Sequence, residues 1–251
     1  MTTYRLLLAA ALGLLASEVQ AQFPPPPPLP KGPPAWASEL QGYWESVISQ
    51  NWRLRMVTPP KGDYVGIPLT AAAKAIADEW DPARDTAQGQ QCKSYGAATI
   101  MTLPEHLRIS WQNEKTLKMD IDSGTQTRLF HFDNAAPAGA QPSWQGESSA
   151  AWVLRHTPDF TPPNANARYL QVSTSHMLAG YLRKNGVPYS ANALLTEAYD
   201  LVHAPGGETW LIVTTTVTDP EYLDYPLPLS AIFKKLPDGS HWDPTPCSAT
   251  W

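Results

Sequence analysis

Two stretches of strict alternation constrain this chain more than anything else in it. In His106–Gln112, Leu107, Ile109 and Trp111 fall on one face. In Thr116–Asp122, Leu117, Met119 and Ile121 fall together, with Lys118, Asp120 and Asp122 opposite. A period of two sends alternate side chains to opposite faces of a strand. Asn113-Glu114-Lys115 joins the two stretches as a hairpin loop, and Asp122-Ser123-Gly124 turns the chain again. One packed face and one wet face suit an antiparallel sheet, whereas parallel sheets are covered on both sides.

Further strand signals follow at Thr125–Phe132, Ala150–His156, Tyr169–His176, Asn192–Val202, Trp210–Thr218 and Ser230–Leu236. Gly206-Gly207 and Pro237-Asp238-Gly239 punctuate the last of these. GYWESVISQNWRLRM, from Gly42, reads as an opening strand pair or one bent strand. Residues 70–80 read as a helix: Thr70 caps it, an alanine-rich body follows and Pro82 ends it. Charged residues are 16% of the chain, against roughly 25% in ordinary globular proteins. With 26 prolines and ten tryptophans, that balance favours strands and ordered loops over helices. A sheet of about nine strands has exposed edges unless it closes on itself. The expected fold is therefore all-β: a closed antiparallel up-and-down barrel of about eight to ten strands with one short surface helix. A two-sheet sandwich is the alternative.

The N-terminus reads as an export signal over residues 1–21. Arg5 precedes an apolar run from Leu6 to Leu15, and Val19-Gln20-Ala21 supplies a small-residue cleavage site. That run is too short to span a membrane as a helix. Residues 22–35 include Pro24–Pro28 and read as a stiff polyproline spacer. One domain then covers residues 36–251. Export, to the periplasm or beyond the cell, favours a disulfide between the only two cysteines, Cys92 and Cys247, over two free thiols or metal ligands. In the chain-entropy description, closing so long a loop stabilises by about 4–5 kcal/mol. The net charge of −5 carries no basic footprint, so nucleic acid is not an expected partner.

Gly42-Tyr43-Trp44 matches the G-x-W signature that opens lipocalin-like (calycin) barrels. The resemblance implies a tryptophan packed across the closed end of a barrel, a glycine that permits a bend, and a cup that binds a small apolar molecule. A late cysteine tied back to the barrel also fits that family, and Cys247 matches it. The chain departs from the family at Thr218-Asp219, where Pro220 and Glu221 precede Tyr222. It also lacks the family's long helix after the last strand. QCKSYGAA and GTQTRLFHF resemble segments of uncharacterised secreted bacterial proteins, which imply no function.

Three polar residues fall on apolar strand faces. Arg128 shares a face with Phe130 and Phe132, Glu197 with Leu195, Tyr199 and Leu201, and His176 with Leu170, Val172 and Thr174. If those faces line a cavity, the three residues enter it, and Arg128 with Glu197 is the natural pair. The expected ligand site is Trp111, Arg128, Phe130, His176, Glu197 and Tyr199, taking a small apolar molecule oriented by the inward polar groups. If the faces point outward instead, the charges sit in solvent. A barrel enzyme, a hydratase or isomerase on a lipid-like or terpenoid substrate, would use His176, Glu197 or Glu147 as acid or base. An envelope structural protein without ligand is the third possibility. Gly146-Glu147-Ser148-Ser149-Ala150 is a poor nucleophile elbow, because a strand follows it where a helix is needed. No histidines stand at i, i+4 or H-x-H spacing, and none stands at ligand spacing from a cysteine. No metal and no cofactor is therefore expected, although spacing cannot reveal ligands on separate strands. HMLAGYLRKNGVPYS, from His176, is either a loop at the pocket mouth or a plain hairpin.

Overall fold

The computed structural model describes residues 32–133, 141–154 and 168–250. The export signal and most of the proline run lie outside the described residues. The domain is a closed barrel of nine strands: β1 (Gly42–Ser46), β2 (His106–Asn113), β3 (Thr116–Ile121), β4 (Gln126–His131), β5 (Glu147–Leu154), β6 (Arg168–Ser175), β9 (Leu194–His203), β10 (Thr209–Thr218) and β11 (Leu227–Leu236). A separate hairpin, β7 (Gly180–Arg183) with β8 (Val187–Tyr189), stands between β6 and β9. Closure comes through β1, which pairs with β11 on one side and β2 on the other.

The barrel matches the expected class with two departures. First, β4 and β5 run parallel, so the chain does not go strictly up and down. Second, there are three short helices where one was expected. They are α1 (Trp52–Arg55), α2 (Ala71–Asp78) and α3 (Pro82–Ala87), with 3-10 turns before β1 (Ala35–Leu40) and after α3 (Gln91–Tyr95, Ile100–Thr102). GYWESVISQNWRLRM is one short strand followed by α1, not a strand pair. α2 forms where expected: the Thr70 hydroxyl accepts from the Ala73 amide, and Ala73 and Ala77 are buried. Asp81 caps α3 in the same way, with Pro82 in the first turn, where its missing N–H does no harm.

The inward sequence parity is the one expected. Leu107 and Ile109, then Leu117, Met119 and Ile121, line the core with Phe130, Leu170, Val172, Tyr199, Leu211, Val213 and Phe233. Trp44 is fully buried among them, and its indole N–H donates to the Leu40 carbonyl at 2.9 Å. Gly42 bends the chain just before it with φ at 121°.

The two ends of the barrel differ. At one end, half-buried Trp36, Trp111, Phe132, Trp152 and Leu201 pack on the core. At the other, Tyr95, Ile100, Met101 and Leu103 enter as a plug. A second cluster lies behind that plug, including Ala77, Ala97, Met177, Leu182, Val187 and Tyr189. The β7–β8 hairpin belongs to this cluster. Its turn glycine, Gly186, has φ of 82° and lies so close to Trp80 that a Cβ would sit 2.2 Å from that side chain's Cβ and Cγ. HMLAGYLRKNGVPYS is thus largely a buried hairpin, and its Leu182, Arg183 and Lys184 edge a cavity of about 250 Å³.

After β11 the chain crosses back over the outer face of β1–β3. Tyr43 meets Trp242 edge-on at 6.2 Å, and the Thr245 amide donates to the Asp122 carbonyl at 3.0 Å. Cys247 then closes a disulfide to Cys92, with an S–S distance of 2.01 Å. The tail therefore ties the barrel wall to the plug. At the other terminus, ordered contacts reach back before Trp36. Pro34 is buried, and the Gly32 carbonyl accepts from Arg168 at 2.6 Å.

Candidate functional site

Four of the expected ligand residues do turn inward, and they face one another. The Arg128 guanidinium donates to Glu197 through two nitrogens at 2.9 and 2.5 Å, a bidentate pair. Both side chains have no exposure at all. The pair reaches across the barrel, because β5 and β6 stand between β4 and β9 on the wall. Tyr199 Oη lies 3.2 Å from Arg128 and donates to Glu197 at 3.1 Å. Thr174 accepts from Arg128 at 3.3 Å and shares a hydrogen bond with Ser148 at 2.8 Å. Phe130 closes the site, its ring 5.0 Å from the guanidinium carbon.

Burial alone would lower the Arg128 pKa, but the Glu197 carboxylate outweighs it and holds the guanidinium above its ordinary value. Tyr199 is pushed well up, first by burial and then by Glu197. The expectation of a hollow cup is corrected at this level. Trp44, Arg128, Phe130, Tyr199 and Phe233 each have under 2% of their surface exposed. The two terminal nitrogens of Arg128, Glu197, Tyr199 and Thr174 bond one another, and only Arg128 Nε among these atoms is left without a hydrogen-bond partner.

His176 does not enter. β6 ends at Ser175, and His176 takes a left-handed conformation with φ of 55°, which turns its ring out to solvent. There it bonds Ser175 Oγ at 2.9 Å through Nδ1. Met177 is the residue that goes in. Glu147 begins β5 on the outer parity and lines the same surface groove as His176. Glu197 is inside, so the three acid–base candidates do not converge on one cavity. Ser148 is a strand residue bonded to Thr174, with no helix after it, as the poor elbow match implied.

Trp111 lies elsewhere, at the aromatic end. Trp36 meets Trp152 edge-on at 5.4 Å, Trp152 stacks on Phe132 at 5.4 Å, and Phe132 meets Trp111 at 5.4 Å. The four rings make one continuous ladder, half-buried throughout. Beside three of them runs a groove of about 490 Å³, edged by Glu114 and Arg168.

Two features escaped the sequence reading. Glu105 is a second inward carboxylate, 4% exposed, and neither of its oxygens has a hydrogen-bond partner. Burial pushes its pKa well above the usual carboxylate range, and Asp122 adds to this against the opposing pull of Arg55 and Arg128. Its parity with Leu107, Ile109 and Trp111 was the available signal. The other feature is on the outer wall, where Glu45, His106 and His241 bring ligand atoms within 4.8 Å of one another. Three separate segments contribute, so no spacing in the sequence could show it.

No helix among the described residues is long and apolar enough to cross a membrane. No family model, curated protein or solved structure matches the chain.

Proposed function

We propose that the chain is an exported, lipocalin-like barrel protein that binds a small, flat, apolar molecule at the aromatic end of the barrel. The observation that carries this reading is the ladder Trp36–Trp152–Phe132–Trp111, half-buried beside a groove. Large aromatic rings left partly wet are where an apolar ligand gains most. Each ring offers area to bury, and a well-placed ring pair adds about 0.5–1.5 kcal/mol beyond area. The packed centre of the barrel offers no comparable opening, so the binding surface lies at its end. Glu114 and Arg168 at the edge of the groove supply polarity to orient a ligand. The closed barrel, the buried Trp44 and the bend at Gly42 support the lipocalin-like reading. The disulfide is compatible with an oxidising compartment.

The packed interior also favours a second reading, a structural envelope protein with no ligand. Titrating an apolar naphthalene-sulfonate dye, followed by its emission, separates the two. Under the binding reading the dye saturates one site, and Trp152→Ala weakens it at least about fivefold, while Thr215→Val, inside the barrel, leaves it unchanged. Absence of saturable binding would favour the structural protein.

A further inference from the structure

The outer wall carries a group of side chains with no part in the proposed ligand site. His106 opens β2, and its register partner across the sheet is Glu45 on β1. Both have outward parity, on the wet side of the barrel. His241 arrives from the tail that crosses this face, its ring centroid 6.1 Å from that of His106.

Asp122 fixes His106 from behind. One of its carboxylate oxygens accepts from the His106 amide at 2.7 Å, and the other lies 2.6 Å from Nδ1. Asp122 is itself buried, at 4% exposure. With Nδ1 engaged as a donor, Nε2 is the nitrogen left with its lone pair. That atom is buried and has no hydrogen-bond partner, and it lies 3.8 Å from Glu45 Oε1. A carboxylate behind one ring nitrogen, with the other nitrogen aimed at further ligands, is the arrangement that orients a metal-bound histidine.

We propose that Glu45, His106 and His241 bind a divalent transition-metal ion of the zinc type, with Asp122 as the residue that positions His106. Two imidazoles and a carboxylate suit zinc(II), with a fourth position for water. Bonds of about 2.0–2.2 Å place tetrahedral ligands about 3.4 Å apart. The ligand atoms lie within 4.8 Å, so the site closes by small side-chain rotations. The movable members are Glu45, with 45% of its side chain exposed, and the exposed His241. His106 stays fixed.

The tail that carries His241 is held on both sides of it. Arg108 sits over the Trp242 ring at 5.3 Å, the Asp238 carboxylate accepts from the Ser240 amide at 2.9 Å, and Cys247 anchors the end. A bound ion would join the first two strands to the tail on the same face that the disulfide secures. Among the described residues no other trio of such groups meets this spacing.

Calorimetric titration of zinc(II) into the untagged, oxidised protein tests the assignment, with thermal unfolding as a second readout. The expected result is one zinc per chain and a zinc-dependent rise in Tm. His241→Ala and Glu45→Gln should each weaken binding at least about tenfold and abolish the rise, while leaving the metal-free Tm unchanged. Asp122→Asn should weaken binding by about 10–100-fold, as loss of an orienting partner does. His203→Ala serves as control, because His203 contacts Glu39 and Thr209, each at 3.4 Å, on another part of the surface. It should bind like the parent. Failure of the parent to take up zinc saturably, or unchanged uptake by His241→Ala and Glu45→Gln, overturns the proposal.

Discussion

The two ends of this barrel treat polar and aromatic groups in opposite ways. At the aromatic end, large rings stay half-buried beside Glu114, which reaches solvent, and Arg168, which is buried at its rim and bonds the Gly32 carbonyl. At the plugged end, apolar side chains seal the opening and charged groups go under with them. Glu105 and Lys184 are each 4% exposed, as is Asp85, which pairs with Lys93 at 2.9 Å. Apolar surface left wet is the resource of a binding site. Charge taken out of water makes a region sensitive to its partners and to pH. The lesson is that the closed end of this molecule, not the open one, holds its electrostatic stress. The Arg128–Glu197 pair lies between the two.

The largest effect should come from breaking that pair. Glu197→Ala leaves the guanidinium buried and alone and should destabilise the fold by about 3–5 kcal/mol in denaturant titration. Replacing both partners by apolar residues of similar volume should restore most of the loss, because buried pairs often gain little over good apolar packing. A change of only a few tenths for Glu197→Ala would mean that water reaches the pair, and the contrast between ends would fade.

A smaller effect should appear as a slope against pH. Burial lowers the Lys184 ammonium to about 7, against an ordinary value of 10.5. Between those values the unfolded chain holds a proton that the folded chain has shed. Stability should therefore rise as pH increases through this window, by up to about 1.4 kcal/mol per pH unit for one proton. Lys184→Met should flatten the rise between pH 7 and 9.5 in chemical denaturation. An unchanged slope would put the pH response of the plugged end elsewhere.

The smallest effect should be at His176. It is exposed, and asparagine tolerates the same left-handed conformation. His176→Asn should stay within about 0.5 kcal/mol of the parent in the same titration. A larger loss would show that position along the barrel matters more than exposure.

Much of the barrel was legible because alternation is local. Once Leu107, Ile109 and Trp111 define the inner face of β2, the pleat dictates the side of every neighbour. The same rule put Arg128 and Glu197 on apolar faces and made them natural partners if those faces point inward, as they do. It failed at His176, where one residue with positive φ ends the strand and reverses the side. By the same parity Glu105, just before the start of β2, also turns inward.

By itself the sequence determined strand parity, the hairpin between β2 and β3, the α2 cap and which cysteines could pair. These depend on neighbours a few residues apart, or on there being only two cysteines. Only the tertiary structure decided whether the inward faces enclose a space or meet. Three strand faces that each look fit to line a pocket instead fill it, because packing density depends on the summed volume of side chains from all nine strands. Only the tertiary structure, too, brought His241 over His106 and Glu45. That meeting depends on where the tail crosses the wall, and the crossing is set by long-range contacts that leave no period in the sequence.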